Sequence, residues 1–400
     1  MKRRAFLKSL GVFTALIAAR PALSLAQSQS PAKTMPPEPG VKTIVALAGA
    51  RKGASDSEVK SAVRAAANAV TDFSWLSKGD AVFIKPALNS GLAYPSTTSP
   101  VAIGAMIELL KQKGAGRVIV GDMSGIEHVK LTPDGLTGST RRLMASSGMA
   151  KAVAAAGGEN HFFEEAGWNA FYEDEPCRGS HWKRGLMMPN ILKAVDHIVL
   201  MPRCARHVLT GSTLGLKAAV GYWRTDTRLE YHHDASTLHE KTAEGNTVAT
   251  LLQKQRLVLS AADKVLTSFG PDEGRIVEPD QGLIMASTSV VAHDMVALAW
   301  LLENRLNLKL EGMDWIRDHE PLVARVGNHY VVHKLGGWRS MLSSEKFTKH
   351  DLNSVKDDRV LNRACHVLGG VPHVTLIAAD SGVPDGIRKR LAEKANGVSA

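Results

Sequence analysis

The chain has 400 residues, 5% of them aromatic, and a formal net charge of +10. Five cations, Lys2, Arg3, Arg4, Lys8 and Arg20, fall within the first 26 residues with no acid among them, so the remainder carries only +5. A mildly basic chain with so few stacking rings excludes a nucleic-acid surface, which needs clustered cations interleaved with aromatics, and favours a small anionic molecule as partner.

The N-terminal stretch "MKRRAFLKSLGVFTALIAARPALSLAQS" joins Arg3-Arg4 and Phe6-Leu7-Lys8 to an apolar run from Leu10 to Ala19, then to the small residues Ser24 and Ala26. This is the pattern of a twin-arginine export signal cut after Ala26. Residues 1–26 are therefore expected to engage the twin-arginine translocation machinery and to deliver a periplasmic protein. The run is too short, and too rich in Gly, Thr and Ala, for a stable membrane span, which needs roughly 20 apolar residues. That route exports proteins already folded, often with a cofactor loaded. Residues 27–40, "QSQSPAKTMPPEPG", read as a flexible tether, and residues 41–400 as the folded part.

From Val41 short β-like runs alternate with amphipathic helices. "TIVALAG" precedes the helix "SDSEVKSAVRAAANAV", with Ser55 as N-cap and Glu58 three residues on. The strand "DAVFIKP", the helix "PVAIGAMIELLKQKG" and the strand "RVIVGD" follow. Residues 157–190 are irregular. Alternation resumes with "AVDHIVLMP", a helix over "TLGLKAAV", a helical stretch near 244–262, then "DKVLTSFG", "GLIMAST" and the helix "VVAHDMVALAWLLEN". The tail supplies the strand "HVTLIAAD" and the helix "PDGIRKRLAEKA". Continuous apolar strands between helices predict an α/β fold with a mainly parallel sheet covered on both faces, of a length that allows two lobes.

In parallel sheets ligands bind outside the carboxyl ends of the strands. Three loops place polar groups there: Lys85 and Asn89 after "VFI", Asp122 and Ser124 after "VIVG", and Arg203, Arg206 and His207 after "IVLMP". Thr210 or Ser212 can cap the first turn of the helix that follows, and a helix opening beside Arg206 and His207 suits an anion. Lys217 lies further along that helix. Lys85 and Asp122 also have ordinary structural roles open to them, as a lysine lying along apolar surface and as a turn former. A second cluster, "LEYHHDASTLHE", carries His232, His233 and His239, which with His207 form a candidate ligand set for a metal ion such as zinc, nickel or iron. Cys177, Cys204 and Cys365 are too scattered for a CxxC zinc or iron–sulfur site, so no iron–sulfur cluster is expected. In an oxidising periplasm two of them can form a disulfide.

Four stretches together resemble the domain-of-unknown-function 362 family: "VFIKPALNSG" with "TTSP" and "AIGAMIELLKQKGAGRVIVGD"; "MPRCARHVLTGSTLGLKAAVG" followed by His232-His233; Gly270-Pro271; and "IMASTSVVAHDMVALAWLL". The family has no settled activity. Many members carry ferredoxin-like cysteine motifs, which this chain lacks. Its usual Lys-Asn pair on the helix is Lys217-Ala218 here, and Ser289 stands where an acid often precedes the last helix. The resemblance implies functional roles for Lys85, His207, Lys217 and Asp294. The arrangement is also similar, more loosely, to two-lobed α/β proteins of the lactate racemase type, in which lysine and histidines hold a nickel pincer cofactor.

The sequence reading is thus an exported protein that binds a metal or an anionic cofactor at the strand-end loops. Lys85, Lys217 and Asp294 are candidates for catalysis of a redox or isomerisation reaction. Asn89, Asp122, Arg206, Thr210 and Ser212 are candidates for holding an anion. The alternative is a carrier of metal or anion without catalysis.

Overall fold

The computed structural model of the chain describes residues 42–397; the stretches read above as an export signal and a tether lie outside the described residues. The main sheet is built on β1 (Lys42–Arg51), β2 (Ala81–Pro86), β3 (Arg117–Asp122), β6 (Glu159–Phe162), β9 (His197–Met201), β12 (Gln255–Leu266), β14 (Gln281–Ser287) and β15 (His373–Ala378), in the order β15-β1-β14-β12-β9-β2-β3-β6. Every neighbouring pair is parallel except those made by β14, which runs antiparallel to both β1 and β12. The fold is α/β with a mostly parallel sheet, and all described residues fall within one compact unit. Among them, no helix is long and apolar enough to cross a membrane.

Side-chain alternation along the strands divides the core. Ala48, Val82, Ile84, Val118, Val120, Ile284 and Ala286 face one side, against α1 (Asp56–Val70) and α2 (Pro100–Gln112). Ser55 caps α1 in a reciprocal box with Glu58, as its spacing predicts. Val45, Leu47, Leu283 and Met285 face the other side, against the buried helix α9 (Val290–Glu303) and α13 (Asp385–Asn396). Between these ends of the sheet, Phe83, Ile119 and Ile198 on that second face meet an irregular layer holding Tyr222, Trp223 and Tyr231.

Two elements differ from expectation. Residues 255–262, the end of the expected helical stretch, instead begin β12, a twelve-residue central strand that runs on into "DKVL"; its middle is buried on both faces, so it lacks the polar–apolar alternation that marks a half-exposed strand. The helix over "TLGLKAAV" starts late. Gly211–Thr213 pair instead with β10 (Arg203–His207) as β11 of a hairpin, permitted by Gly211 at φ +84°. Only Gly215–Ala218 are α-helical, as α5. The three cysteines are free thiols, so the disulfide that two of them could form is not seen here, and Cys204 is buried, donating to the Ala297 carbonyl at 3.4 Å.

Candidate functional site

Phe83 and Lys85 share the face of β2 opposite Val82 and Ile84, which carries the Lys85 side chain under the irregular layer. Lys85 is 1% exposed; its Nζ lies 3.0 Å from Asp122 Oδ1, donates to the Pro86 carbonyl at 2.6 Å, and sits 5.2 Å from the Tyr222 ring centroid. Asp122 also accepts from the backbone N–H of Leu88 at 3.0 Å and of Met123 at 2.8 Å. A Cβ on Gly221 would stand 2.3 Å from Asp122 Oδ1 and 2.4 Å from Lys85 Nζ, so only glycine lets this chain segment close over the pair. Burial pushes the Lys85 ammonium down and the Asp122 carboxyl up, each opposed by the other's charge.

Alternation along β10 sends Arg203 and His207 to one side and Cys204 and Arg206 to the other. Arg203 is buried, donates through Nη1 to the Ser96 carbonyl, and leaves Nε without a partner. His207 Nδ1 accepts from the backbone N–H of Leu209 at 3.1 Å and of Thr210 at 3.4 Å. A neutral ring accepting at Nδ1 carries its proton on Nε2. His207 therefore has its ring donor at Nε2, and Lys217, Arg203 and His232 are close enough to act on it electrostatically.

Lys217 rides on α5, whose position is fixed by Asp294 of α9. Asp294 accepts from the N–H of Gly215 at 2.8 Å and of Leu216 at 2.7 Å, and bonds His293 Nδ1 at 2.8 Å, while His293 Nε2 reaches Ser260 Oγ at 2.9 Å. The anion site expected at this helix start is thus filled by the protein's own carboxylate. Asp294→Ala is expected to cost about 2–4 kcal/mol, from the lost cap and the buried groups left unsatisfied. Urea unfolding measures it, and a variant as stable as wild type would show that α5 does not depend on this carboxylate.

Arg228 and His232 sit one turn apart on α6 (Thr225–His233). Arg228 donates to the carbonyls of Ser124 at 2.7 Å, Met123 at 2.6 Å and Gly221 at 3.1 Å, with Nε unpartnered. His232 Nδ1 bonds Asn328 Oδ1 at 2.8 Å, and Asn328 Nδ2 donates back to the His232 carbonyl at 2.9 Å. The amide orientation makes His232 Nδ1 the donor, leaving Nε2 a bare lone pair.

These groups form one electrostatic cluster. Burial, with Arg228, Arg203 and Lys85 adding repulsion, lowers Lys217 to about 7. Burial and then Lys217, Arg203 and His232 hold His207 neutral, well below its usual range. Burial lowers His232 to about 3 and both Arg203 and Arg228 to about 10. Among the described residues, none of Arg203, Lys217 and Arg228 has a carboxylate within ion-pair distance, whereas Lys85 has Asp122. Lys217 is also partly exposed, with the Tyr231 ring 5.5 Å from its Nζ.

Of the residues singled out from sequence, Lys85, Asp122, His207, Lys217 and His232 come together. Asp122 acts there as counterion to Lys85; a carboxylate does not attract an anion. Arg206 is turned away, 3.5 Å from Asp318 and donating to the Gly211 carbonyl at 2.6 Å. Thr210 bonds the Ser212 carbonyl at 2.9 Å, so both hydroxyl residues belong to the hairpin. Asn89 donates to Asp272 at 2.8 Å. His233 uses both ring nitrogens on Asp234 and Ser343, and His239 packs against Phe347 and His350. The four-histidine metal set therefore does not assemble, and His207 lacks the bare Nε2 a ligand needs. Among the described residues, the one group of three or more possible metal-ligating side chains within 4.8 Å is Glu127, His128 and Asp272. Sequence reasoning named Arg203 without giving it a role and passed over Arg228, although its i,i+4 spacing to His232 places both on one helix face.

No curated protein matches this chain. Among solved structures, the lactate racemase apoprotein from Thermoanaerobacterium thermosaccharolyticum aligns with 12% identity and a TM-score of 0.40, over 61% of this chain and 54% of its own. A protein from Thermotoga maritima aligns with 11% identity and a TM-score of 0.35, over 63% of this chain and 59% of its own. The chain thus spans a little over half the length of each. The family described as "Domain of unknown function (DUF362)" matches residues 82–299, which hold Lys85, Asp122, Arg203, His207, Lys217, Arg228, His232 and Asp294. The chain belongs to the DUF362 family.

Proposed function

We propose that the protein binds a small carboxylate or phosphate anion at the strand-end rim and moves a proton on it, as an isomerase-type enzyme would. The observation that carries this reading is the charge imbalance among four cations, Lys85, Arg203, Lys217 and Arg228, of which, among the described residues, Lys85 alone has a carboxylate at ion-pair distance. Unpaired buried charge is strongly unfavourable, and an anion of the right size supplies what the protein withholds. Lys217, at about 7, can take or give a proton near neutrality. His207 offers a donor and His232 an acceptor beside it. A carrier would need the cations but gains nothing from a poised amine electrostatically coupled to two complementary imidazoles. Export through the twin-arginine route to the periplasm belongs to the same proposal and is supported by the Arg3-Arg4 pattern.

Phosphate and oxalate should raise the melting temperature at fixed ionic strength where chloride does not, and the gain should grow as pH falls through about 7, when Lys217 acquires its proton. Without an anion the same lysine acts in the opposite sense. Its folded pKa is lowered while the unfolded chain keeps the proton up to 10.5, so the free protein gains stability as pH rises between about 7 and 10.5. Equal response to chloride, or an anion effect indifferent to pH, would remove this reading.

A further inference from the structure

We infer that Lys217 is a nucleophilic amine that condenses with the carbonyl of a small 2-oxo carboxylate, whose carboxylate is held by Arg203 and Arg228. This rests on the anion reading above and names its substrate class. Four observations converge on it. Among the described residues Lys217 is in no salt bridge, whereas the buried lysines Lys85 and Lys241 each have a carboxylate partner. It is partly exposed although the cations around it are buried, so a substrate can reach it. Arg203 and Arg228 each keep a buried Nε without a partner, and a guanidinium is suited to a carboxylate. Asp294 fixes the short helix from which the amine projects.

A lysine becomes a nucleophile when desolvated beside other cations, because its neutral form is favoured. The two imidazoles then suit the bond changes. The Nζ lone pair attacks the carbonyl carbon, a C–N bond forms, and the C=O π electrons move onto oxygen. The proton shed by nitrogen passes through the bare Nε2 of His232 to that oxygen, while the Nε2–H of His207 stabilises it by hydrogen bonding. Loss of the second nitrogen proton and of hydroxide, together one water, leaves a C=N double bond. Nothing is oxidised or reduced. The cationic surroundings then stabilise negative charge developing on the neighbouring carbon, which is what proton abstraction there requires.

The test is reductive trapping. Glyoxylate, pyruvate and 2-oxoglutarate are each incubated with the folded protein near neutral pH, sodium borohydride is added, and intact and peptide masses are read. Expected is one adduct, the reduced secondary amine of the oxo acid, confined to the Lys217 peptide and suppressed by excess oxalate. Lys217→Arg should lose the adduct yet keep a melting-temperature rise with oxalate; Lys217→Gln substitutes if the arginine variant fails to fold by circular dichroism. A rise with oxalate but no adduct from any of the acids overturns the Schiff-base inference and leaves the anion reading standing. Absence of both overturns both, and labelling that persists in the Lys217 variants assigns the chemistry to another amine and overturns the inference.

Discussion

Asp122→Ala should cost about 3–5 kcal/mol of stability, the range for stripping one partner from a buried ion pair. Lys85 would keep its ammonium at 1% exposure with the Pro86 carbonyl as its remaining acceptor. The N–H groups of Leu88 and Met123 would lose their carboxylate as well. The double variant Lys85→Met/Asp122→Ala should recover most of the loss, because it removes the orphaned charge along with its partner. A urea-unfolding cycle over the four proteins gives the coupling. A single variant costing under about 1 kcal/mol would mean that Lys85 simply sheds its proton when Asp122 is gone, and the pair would not be the ion pair described.

Arg203→Met should do the reverse, stabilising the free protein by about 1–3 kcal/mol while abolishing its response to phosphate and oxalate. The guanidinium is buried with one carbonyl acceptor, an unpartnered Nε and Asp272 as the acid acting on it from a distance, and its charge works against protonation of Lys217 and His207. Methionine fills similar length without charge and adapts its shape. Stability gained as function is lost is the usual signature of a site built against the local energy. Should the variant prove less stable than wild type and still respond to anions, Arg203 would be a structural residue and the charge imbalance would not be a binding device.

The rim was legible in the sequence because an apolar strand that ends in a charged residue is a local signal. Lys85 after "VFI", Asp122 after "VIVG" and Arg203 after "IVLMP" each show it, and all three reach the site. What sequence could not show was the direction of neighbours. Arg206 is three residues from Arg203, but strand alternation turns it to Asp318. His233 follows His232, yet one helical step is about 100° and takes it to Asp234 and Ser343. The capping of α5 joins residues 215 and 294, a pairing no local pattern announces. For the same reason Asp294 read as a candidate for catalysis when its geometry makes it a positioning residue. Strand β14, antiparallel among parallel neighbours, has the same apolar composition as they do, so nothing in its residues betrays its direction.

The tautomer of His232 is set by Asn328, and Asn328 lies on α11 (Pro321–Ser343), beyond the segment 82–299 that matches the family. The buried cations and the choice of which ring nitrogen stays bare are therefore encoded in separate stretches of chain. Under the proposed function, a substitution on α11 that breaks the Asn328 contact frees His232 to change tautomer while leaving Arg203, Lys217 and Arg228 in place.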